Sequence, residues 1–215
     1  MKDKSKMERE REIKFDVPLT LDESLVLSKL AGVLTKRGYD LTNQKTIRRN
    51  FLYYDTPDYN LYKEGRTIRR VGGFDPRKHQ GSYRYDIKTG PINDRYEAQI
   101  WTDKEIPVKE AMTRFGATNL PNLIQTVSAT TKHITSIASN GENQLKISLD
   151  QFTVENGGNF SELELELERG NELELDYLAN RIEKKLGLQQ SHKQKYARAL
   201  EATYTFQALV KRGRN

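Results

Sequence analysis

The sequence contains no cysteine. That excludes a disulfide framework, a thiolate-bound metal and a thiol nucleophile. Histidine is scarce: the three residues are His79 in a loop, His133 in a strand-like segment and His192 ahead of a basic helix. Nothing in those settings brings them together as a metal site or a catalytic triad, so each reads as a surface or supporting residue. The one tryptophan, Trp101, reads as a core residue. No run approaches the roughly 18 apolar residues that cross a bilayer. The opening MKDKSKMERERE is charged and lacks the apolar stretch of a secretory signal. The expectation is a soluble, cytoplasmic protein.

Apolar residues are also few, 35% against 31% charged. Such a balance suits either disorder or a fold with a wet interior. Eleven tyrosines, seven phenylalanines and many alternating segments argue against disorder. The net charge of +6 favours an anionic partner without choosing among nucleic acid, membrane and small phosphate. There is no internal repeat or low-complexity linker. One domain is expected over 1–215, with its core at about 8–205 and frayed ends that include Arg212 to Asn215.

Strand signals recur near 8–15, 45–54, 66–71, 82–89, 95–102, 130–138, 144–154 and 160–168, separated by DTPDYN, GGFDP, KTGPIND, SNGEN and ENGGN. Eight strands in meandering order predict a closed antiparallel barrel. Helices are expected at about 20–37, 108–127, 172–186 and 192–210. The first carries a Thr20/Glu23 capping box, an apolar stripe of Leu27, Leu30, Val33 and Leu34, and Gly38 as its stop.

Residues two apart on a strand share a face, about 7 Å from each other. Glu10, Glu12 and Lys14 therefore lie opposite Ile13 and Phe15. Glu162, Glu164, Glu166 and Glu168 lie opposite three leucines. Lys146, Ser148 and Asp150 share a face, as do Arg84, Asp86 and Lys88, and Arg95 with Glu97. Strand by strand, these are ordinary solvated faces. Together they segregate carboxylates from cations, and like charges on neighbouring strands repel. A hard divalent cation would supply the counter-charge, with lysine and arginine left to hold phosphate. If the charged faces point inward, the barrel is a polar tunnel and its apolar outside is covered by helices.

Glu10-Arg11-Glu12-Ile13-Lys14 resembles the Glu-x-Glu-x-Lys signature of the CYTH superfamily, the triphosphate tunnel metalloenzymes. Further pieces follow in family order: Tyr53-Tyr54-Asp55-Thr56-Pro57-Asp58, Leu61 to Gly65, Ile68-Arg69, Ile87-Lys88-Thr89, Arg95-Tyr96-Glu97, Leu149-Asp150, Glu162 to Glu166, and Lys195 to Arg198. They span roughly 8–200. The resemblance implies an α+β fold: a closed eight-stranded antiparallel β-barrel with a charged interior, flanked by helices. It implies Mg²⁺ or Mn²⁺ as cofactor, held by Glu10, Glu12, Asp150, Glu162 and Glu164. Lys14, Arg69, Lys88, Arg95 and Lys195 would grip the phosphates. Lys14, Glu97 and Glu166 form the implied catalytic set, with Glu97 orienting the cations and Glu166 a further inward carboxylate.

Three positions depart from the pattern. Val71 stands where a second arginine is expected, His133 where a basic strand residue is expected, and Gln194 in place of a serine. Arg66, Arg70 and Lys132 are the candidates to compensate. Lys63-Glu64-Gly65 lacks a Walker A context and Gly72-Gly73 reads as a turn, so no P-loop is present. The expected activity is hydrolysis of a small triphosphate, inorganic triphosphate first and thiamine triphosphate next. Adenylyl cyclase is the alternative enzyme, and a polyphosphate- or nucleic-acid-binding module the non-enzyme alternative. A membrane is not an expected partner, nor is nucleic acid under the leading reading; a homodimer is compatible with it.

Overall fold

The computed structural model describes residues 4–74, 81–91, 93–117 and 122–203. Its strands are β1 (Lys4–Val17), β2 (Asp40–Asp55), β3 (Thr67–Phe74), β4 (Gly81–Thr89), β5 (Asp94–Thr102), β6 (Ile124–Ser139), β7 (Gln144–Val154), β8 (Asn159–Arg169) and the short β9 (Gln189–Gln190). The helices are α1 (Glu23–Thr35), α2 (Asn60–Lys63), α3 (Val108–Arg114), α4 (Leu173–Leu186) and α5 (Lys195–Ala202).

The strands run β5-β4-β3-β2-β6-β7-β8-β1, and β1 returns to β5, so the sheet closes into an eight-stranded antiparallel barrel. Strand β1 is the seam. Its first part pairs with β5 through Arg11↔Asp94, and its second with β8 from Glu12↔Glu166 to Val17↔Ser161. Strand β9 adds to β1 at Phe15 and Asp16.

Alternation sorts the residues as a polar tunnel requires. Ile13, Phe15, Leu145, Ile147, Leu149, Leu163 and Leu165 face outward and bury themselves against Val26, Leu30 and Leu34 of α1 and Leu175, Leu178 and Ile182 of α4. A second outer cluster packs Ile68 and Tyr85 against Leu61, Ala111 and Met112. The large apolar core therefore lies between barrel and helices, and the alternate, charged side chains are left for the interior.

One end of the interior is closed. Phe51, Tyr53, Phe152 and Phe160 cluster there with Tyr196, Ala199 and Leu200 of α5. Stacked rings join Tyr53 to Tyr196 (5.3 Å between centroids) and Phe152 to Phe160 (4.6 Å). Tyr196 donates from its hydroxyl to buried Asp55 Oδ2 at 2.8 Å, which also accepts the Tyr62 N–H at 2.9 Å. Asp55 thus ties the plug to α2.

Several boundaries differ from the sequence expectation. Asp22, not Thr20, caps α1: its carboxylate accepts the Leu25 N–H at 3.0 Å, and Glu23 is the first helical residue. Leu30 and Leu34 are buried as expected, while Val26 completes the stripe and Leu27 and Val33 sit at its margin. The helix expected over 108–127 ends at Arg114; Phe115 caps it and Gly116 follows at φ 83°. Residues 118–121 lie outside the described residues, and Ile124 opens β6. Leu123, Ile124 and Val127 have helical spacing, but Ile124 and Val127 pair with Asp55 and Tyr53 of β2. The last helix, expected over 192–210, is α5, and Thr203 is already extended and bridged to Gly157. The rest of that stretch, the Lys211 to Arg214 tail and His79 lie outside the described residues. Helix α4 ends as expected at Gly187, whose φ of 71° is a left-handed conformation that glycine takes without steric cost. No described helix is long and apolar enough to cross a membrane.

Candidate active site

The ladder registers assemble the site. Asp150 of β7 stands opposite Glu162 of β8, and Ser148 opposite Glu164. Glu164 in turn stands opposite Lys14 of β1. On the other side, Glu10 faces Arg95 across β1–β5, and Lys88 faces Glu97 across β4–β5. Alternation sends all of these inward. The chamber they enclose has about 690 Å³ of space including its open mouth, and cations outnumber carboxylates in its lining.

Two carboxylate triads stand close enough to share an ion: Glu10, Glu12 and Glu164, and Asp150, Glu162 and Glu164. One oxygen from each member lies within 4.8 Å of the others, and all five residues are buried. Glu164 belongs to both. The first triad holds an oxygen with no hydrogen-bond partner, Glu12 Oε2, while in the second Glu162 Oε1 has only the Lys195 ammonium, 3.2 Å away. Buried carboxylate oxygens rarely stay unpartnered. An all-oxygen set with free lone pairs fits a hard divalent cation such as Mg²⁺ or Mn²⁺.

Cations lock these acids in place. Lys195 Nζ donates to Asp150 Oδ2 at 2.7 Å and Glu164 Oε2 at 2.5 Å, and lies 3.2 Å from Glu162 Oε1. Lys88 Nζ reaches Glu10 Oε2 at 2.7 Å and Glu97 Oε1 at 3.2 Å. Arg95 bonds Glu12 and lies 3.8 Å from Glu10. Lys14 is wholly buried between Glu12 and Glu164, behind the surface of the chamber rather than on it. Arg69 bonds Asp86 Oδ2 at 2.5 Å and approaches Glu97 at 3.7 Å. Glu97 thus lies between Arg69 and Lys88. Glu166 pairs with Lys146 on the chamber lining.

Burial pushes Glu10, Glu12, Asp150 and Glu164 toward the protonated form, and the neighbours decide the outcome. For Glu164, Lys14 and Lys195 outweigh burial and hold it well below the usual range. For Glu10, Lys88 does the same. Asp150 is held low by Lys195 and His133. In Glu12 burial, reinforced by the Glu164 charge, wins and raises the pKa to about 7.

All the sequence-derived site residues except Lys14, Glu12 and Glu162 line the chamber, and those three sit directly behind it in contact with residues that do. The proposed compensators do not join them. Arg66 pairs with Glu64 and Lys132 with Glu23, both on exposed surface, and Arg70 pairs with Glu105 on the outside. Val71 is buried in the aromatic cluster. Gln194 accepts from Thr67 Oγ1 at 3.0 Å and donates to the Gly65 carbonyl at 2.7 Å, fastening the start of α5. His133 is buried, its Nδ1 2.6 Å from Asp150 Oδ1, while His192 is exposed. Trp101 is not in the core: it is 38% exposed, with the Arg84 guanidinium 5.5 Å from its ring.

Sequence reasoning missed Arg49 and Arg84 in the lining, Asp86 as buried counter-ion to Arg69 and Arg84, and Arg198, which donates to Glu162 at 2.9 Å. Alternation had already put Arg84 and Asp86 on the Lys88 face, but gave them no role in the site.

No protein-family model matches the chain, and no curated protein does. Solved structures do match in fold. The PH1819 protein from Pyrococcus horikoshii aligns over 89% of this chain and 98% of its own, at 16% identity and a TM-score of 0.58. A candidate adenylate cyclase from Bacillus halodurans aligns over 89% and 97%, at 16% identity and 0.56. A Hippeastrum protein, HpAC1, named as a candidate adenylyl cyclase and described as having a dominant triphosphatase activity, aligns over 93% and 95%, at 15% and 0.52. With its closed antiparallel barrel and inward-facing charges, the chain has the triphosphate tunnel fold.

Proposed function

We propose that this protein hydrolyses a small triphosphate with Mg²⁺ or Mn²⁺, and that its substrate is inorganic triphosphate, cleaved to diphosphate and phosphate. The observation that carries this reading is the pair of buried carboxylate triads, one with an orphaned oxygen at Glu12, beside a chamber whose lining is rich in arginine and lysine. Solvated sheet faces would not bury Glu12, Asp86 and Glu162 completely. The triphosphatase activity ascribed to HpAC1 agrees with it.

Glu10, Glu12, Asp150, Glu162 and Glu164 would hold the cation. When bound, the cation would neutralise phosphate charge and acidify a coordinated water. Phosphoryl transfer otherwise asks mainly for position and charge. Lys88, Arg95, Arg69 and Lys195 can exchange carboxylate partners for phosphate oxygens. Glu97 and Asp86 keep Lys88 and Arg69 aimed while they do so. Water oxygen bonds to the terminal phosphorus, the bridging P–O bond breaks, diphosphate departs, and the water proton passes to a carboxylate of the same wall. The α5 plug closes one end, so substrate enters and products leave by the other.

A phosphate-release panel tests this. Tripolyphosphate, thiamine triphosphate, ATP and diphosphate are each incubated with Mg²⁺, Mn²⁺ or chelator, and cyclic AMP is measured alongside. Metal-dependent release from tripolyphosphate is expected. Cyclic AMP from ATP would make the protein a cyclase. Binding without turnover, indifferent to chelator, would make it a polyanion-binding module.

A further inference from the structure

Arg49 differs from the other cations of the chamber. Arg69, Arg84, Lys88, Arg95, Lys146 and Lys195 each have a carboxylate oxygen within 4 Å. Arg49 lines the same chamber and has no such partner among the described residues. Burial, with the charge of Arg84 added, lowers its pKa to about 10. A guanidinium stays charged in a protein, and that of Arg49 is offset only at longer range, by Asp150 and Asp86.

Its surroundings are unsatisfied too. Thr131 stands directly opposite Arg49 in the β2–β6 ladder, and His133 follows two residues along on the same face. Thr131 is 3% exposed and His133 4%. Thr131 Oγ1 and His133 Nε2 are buried without hydrogen-bond partners. The imidazole is not free to turn away, because Asp150 holds its other nitrogen. An unpaired guanidinium and an idle hydroxyl on one patch of wall describe a place prepared for an anionic group; His133 Nε2, whose ring donates from Nδ1 to Asp150, can only accept, so it would take the O–H of a protonated phosphate or of a water. The carboxylate triads lie on β1, β7 and β8, so this patch is beside the candidate metal wall and not part of it.

We propose that Arg49, with Thr131 opposite it, forms a further phosphate subsite that holds a phosphoryl group of the substrate beside the carboxylate triads. This rests on the triphosphate reading above. It also gives the chamber the guanidinium that Val71 does not supply, two ladder pairs away, where Arg49 stands opposite Gly73 and Phe51 opposite Val71.

The test is calorimetric titration of chelator-treated protein with sodium tripolyphosphate, for wild type, Arg49→Gln, Arg49→Lys and the exposed-surface control Arg66→Gln. Loss of one charge-assisted contact predicts weakening by about tenfold or more in Arg49→Gln. Arg49→Lys should recover part of that, and Arg66→Gln should match wild type. With Mg²⁺ and turnover, Arg49→Gln should raise KM for tripolyphosphate with kcat nearly kept, the signature of lost ground-state binding. Its thermal midpoint without ligand should equal or exceed that of wild type, since no internal partner is lost. The subsite falls if Arg49→Gln binds within about twofold of wild type, if Arg66→Gln weakens binding equally, or if wild type binds no tripolyphosphate. If tripolyphosphate binds through Arg49 but no phosphate is released with either metal, the subsite stands and the hydrolase reading falls.

Discussion

Lys195 Nζ lies 2.7 Å from Asp150 Oδ2, and in that position it serves as the counter-ion of an entire carboxylate triad. Asp150 and Glu164 are the largest influences favouring its charged form, and they overcome burial to raise its pKa well above the usual lysine range. Lys195→Met would leave three buried acids facing one another, with Arg198 on Glu162, His133 on Asp150 and the more distant Lys14 on Glu164 as the remaining cations or donors. Removing one partner of a buried ion pair costs about 3–5 kcal/mol. Scanning fluorimetry in chelator should show that loss. Mn²⁺ should then raise the variant's midpoint by more than it raises wild type, because the ion replaces the missing charge. An equal rise in both proteins would mean that Lys195 and the ion do not share the triad.

Glu164 is common to both triads, whereas Glu10 belongs to one. Glu164→Gln should therefore abolish both the thermal shift produced by Mn²⁺ and the release of phosphate from tripolyphosphate. Glu10→Gln should reduce release by roughly a hundredfold or more yet keep part of the shift. Isothermal titration with Mn²⁺ reads the same contrast directly. Equal behaviour of the two variants would place the ion on a different set.

Much of this site was legible because alternation is a hard constraint. Glu162, Glu164 and Glu166 lie opposite leucines, and once the barrel closes only one side of β8 can be inside. Arg49 was not legible for the same reason read backwards. It shares its face with Phe51 and Tyr53, which look like core, and its neighbour Arg48 made either parity look cationic. The charged tunnel and the aromatic plug are one continuous face of β2, and no local pattern announces where the first becomes the second. Arg70 misled in the opposite sense, being adjacent to Arg69 but turned outward to Glu105. The start of β6 was lost because Leu123, Ile124 and Val127 keep a helical spacing that only pairing with β2 overrules.

Glu12 makes the metal-free protein sensitive to pH. Its pKa is raised to about 7, from an ordinary value of 4.5. Between those values folded Glu12 binds more protons than unfolded Glu12, so its contribution to stability falls as pH rises through the window, while buried His133, whose pKa is lowered, contributes with the opposite sign. The loss should be on the order of 1 kcal/mol or more, about 2–4 °C of midpoint for a chain of this size. In chelator, wild type should therefore lose more, or gain less, midpoint between pH 5.5 and pH 7.5 than Glu12→Gln does. Mg²⁺ or Mn²⁺ should reduce that difference by favouring the ionised carboxylate. The same midpoint change between pH 5.5 and pH 7.5 in wild type and Glu12→Gln would contradict the assignment.

The plug can be loosened without touching the candidate metal wall. Tyr196 donates to Asp55, which also holds the N–H groups of Leu61 at 2.8 Å and Tyr62 at 2.9 Å, so one carboxylate anchors both α5 and α2. Tyr196→Phe keeps the ring stacked on Tyr53 and removes only the hydroxyl. A hydrogen bond to a charged group contributes about 1.5–3 kcal/mol, and urea unfolding should register a loss in that range. Because α5 also carries Lys195, the same change should lower the temperature at which phosphate release is lost, while kcat well below that temperature stays close to wild type. If instead kcat falls sharply at low temperature with stability intact, the Tyr196 hydroxyl acts in the chamber, where its ring is part of the lining, and not through the plug.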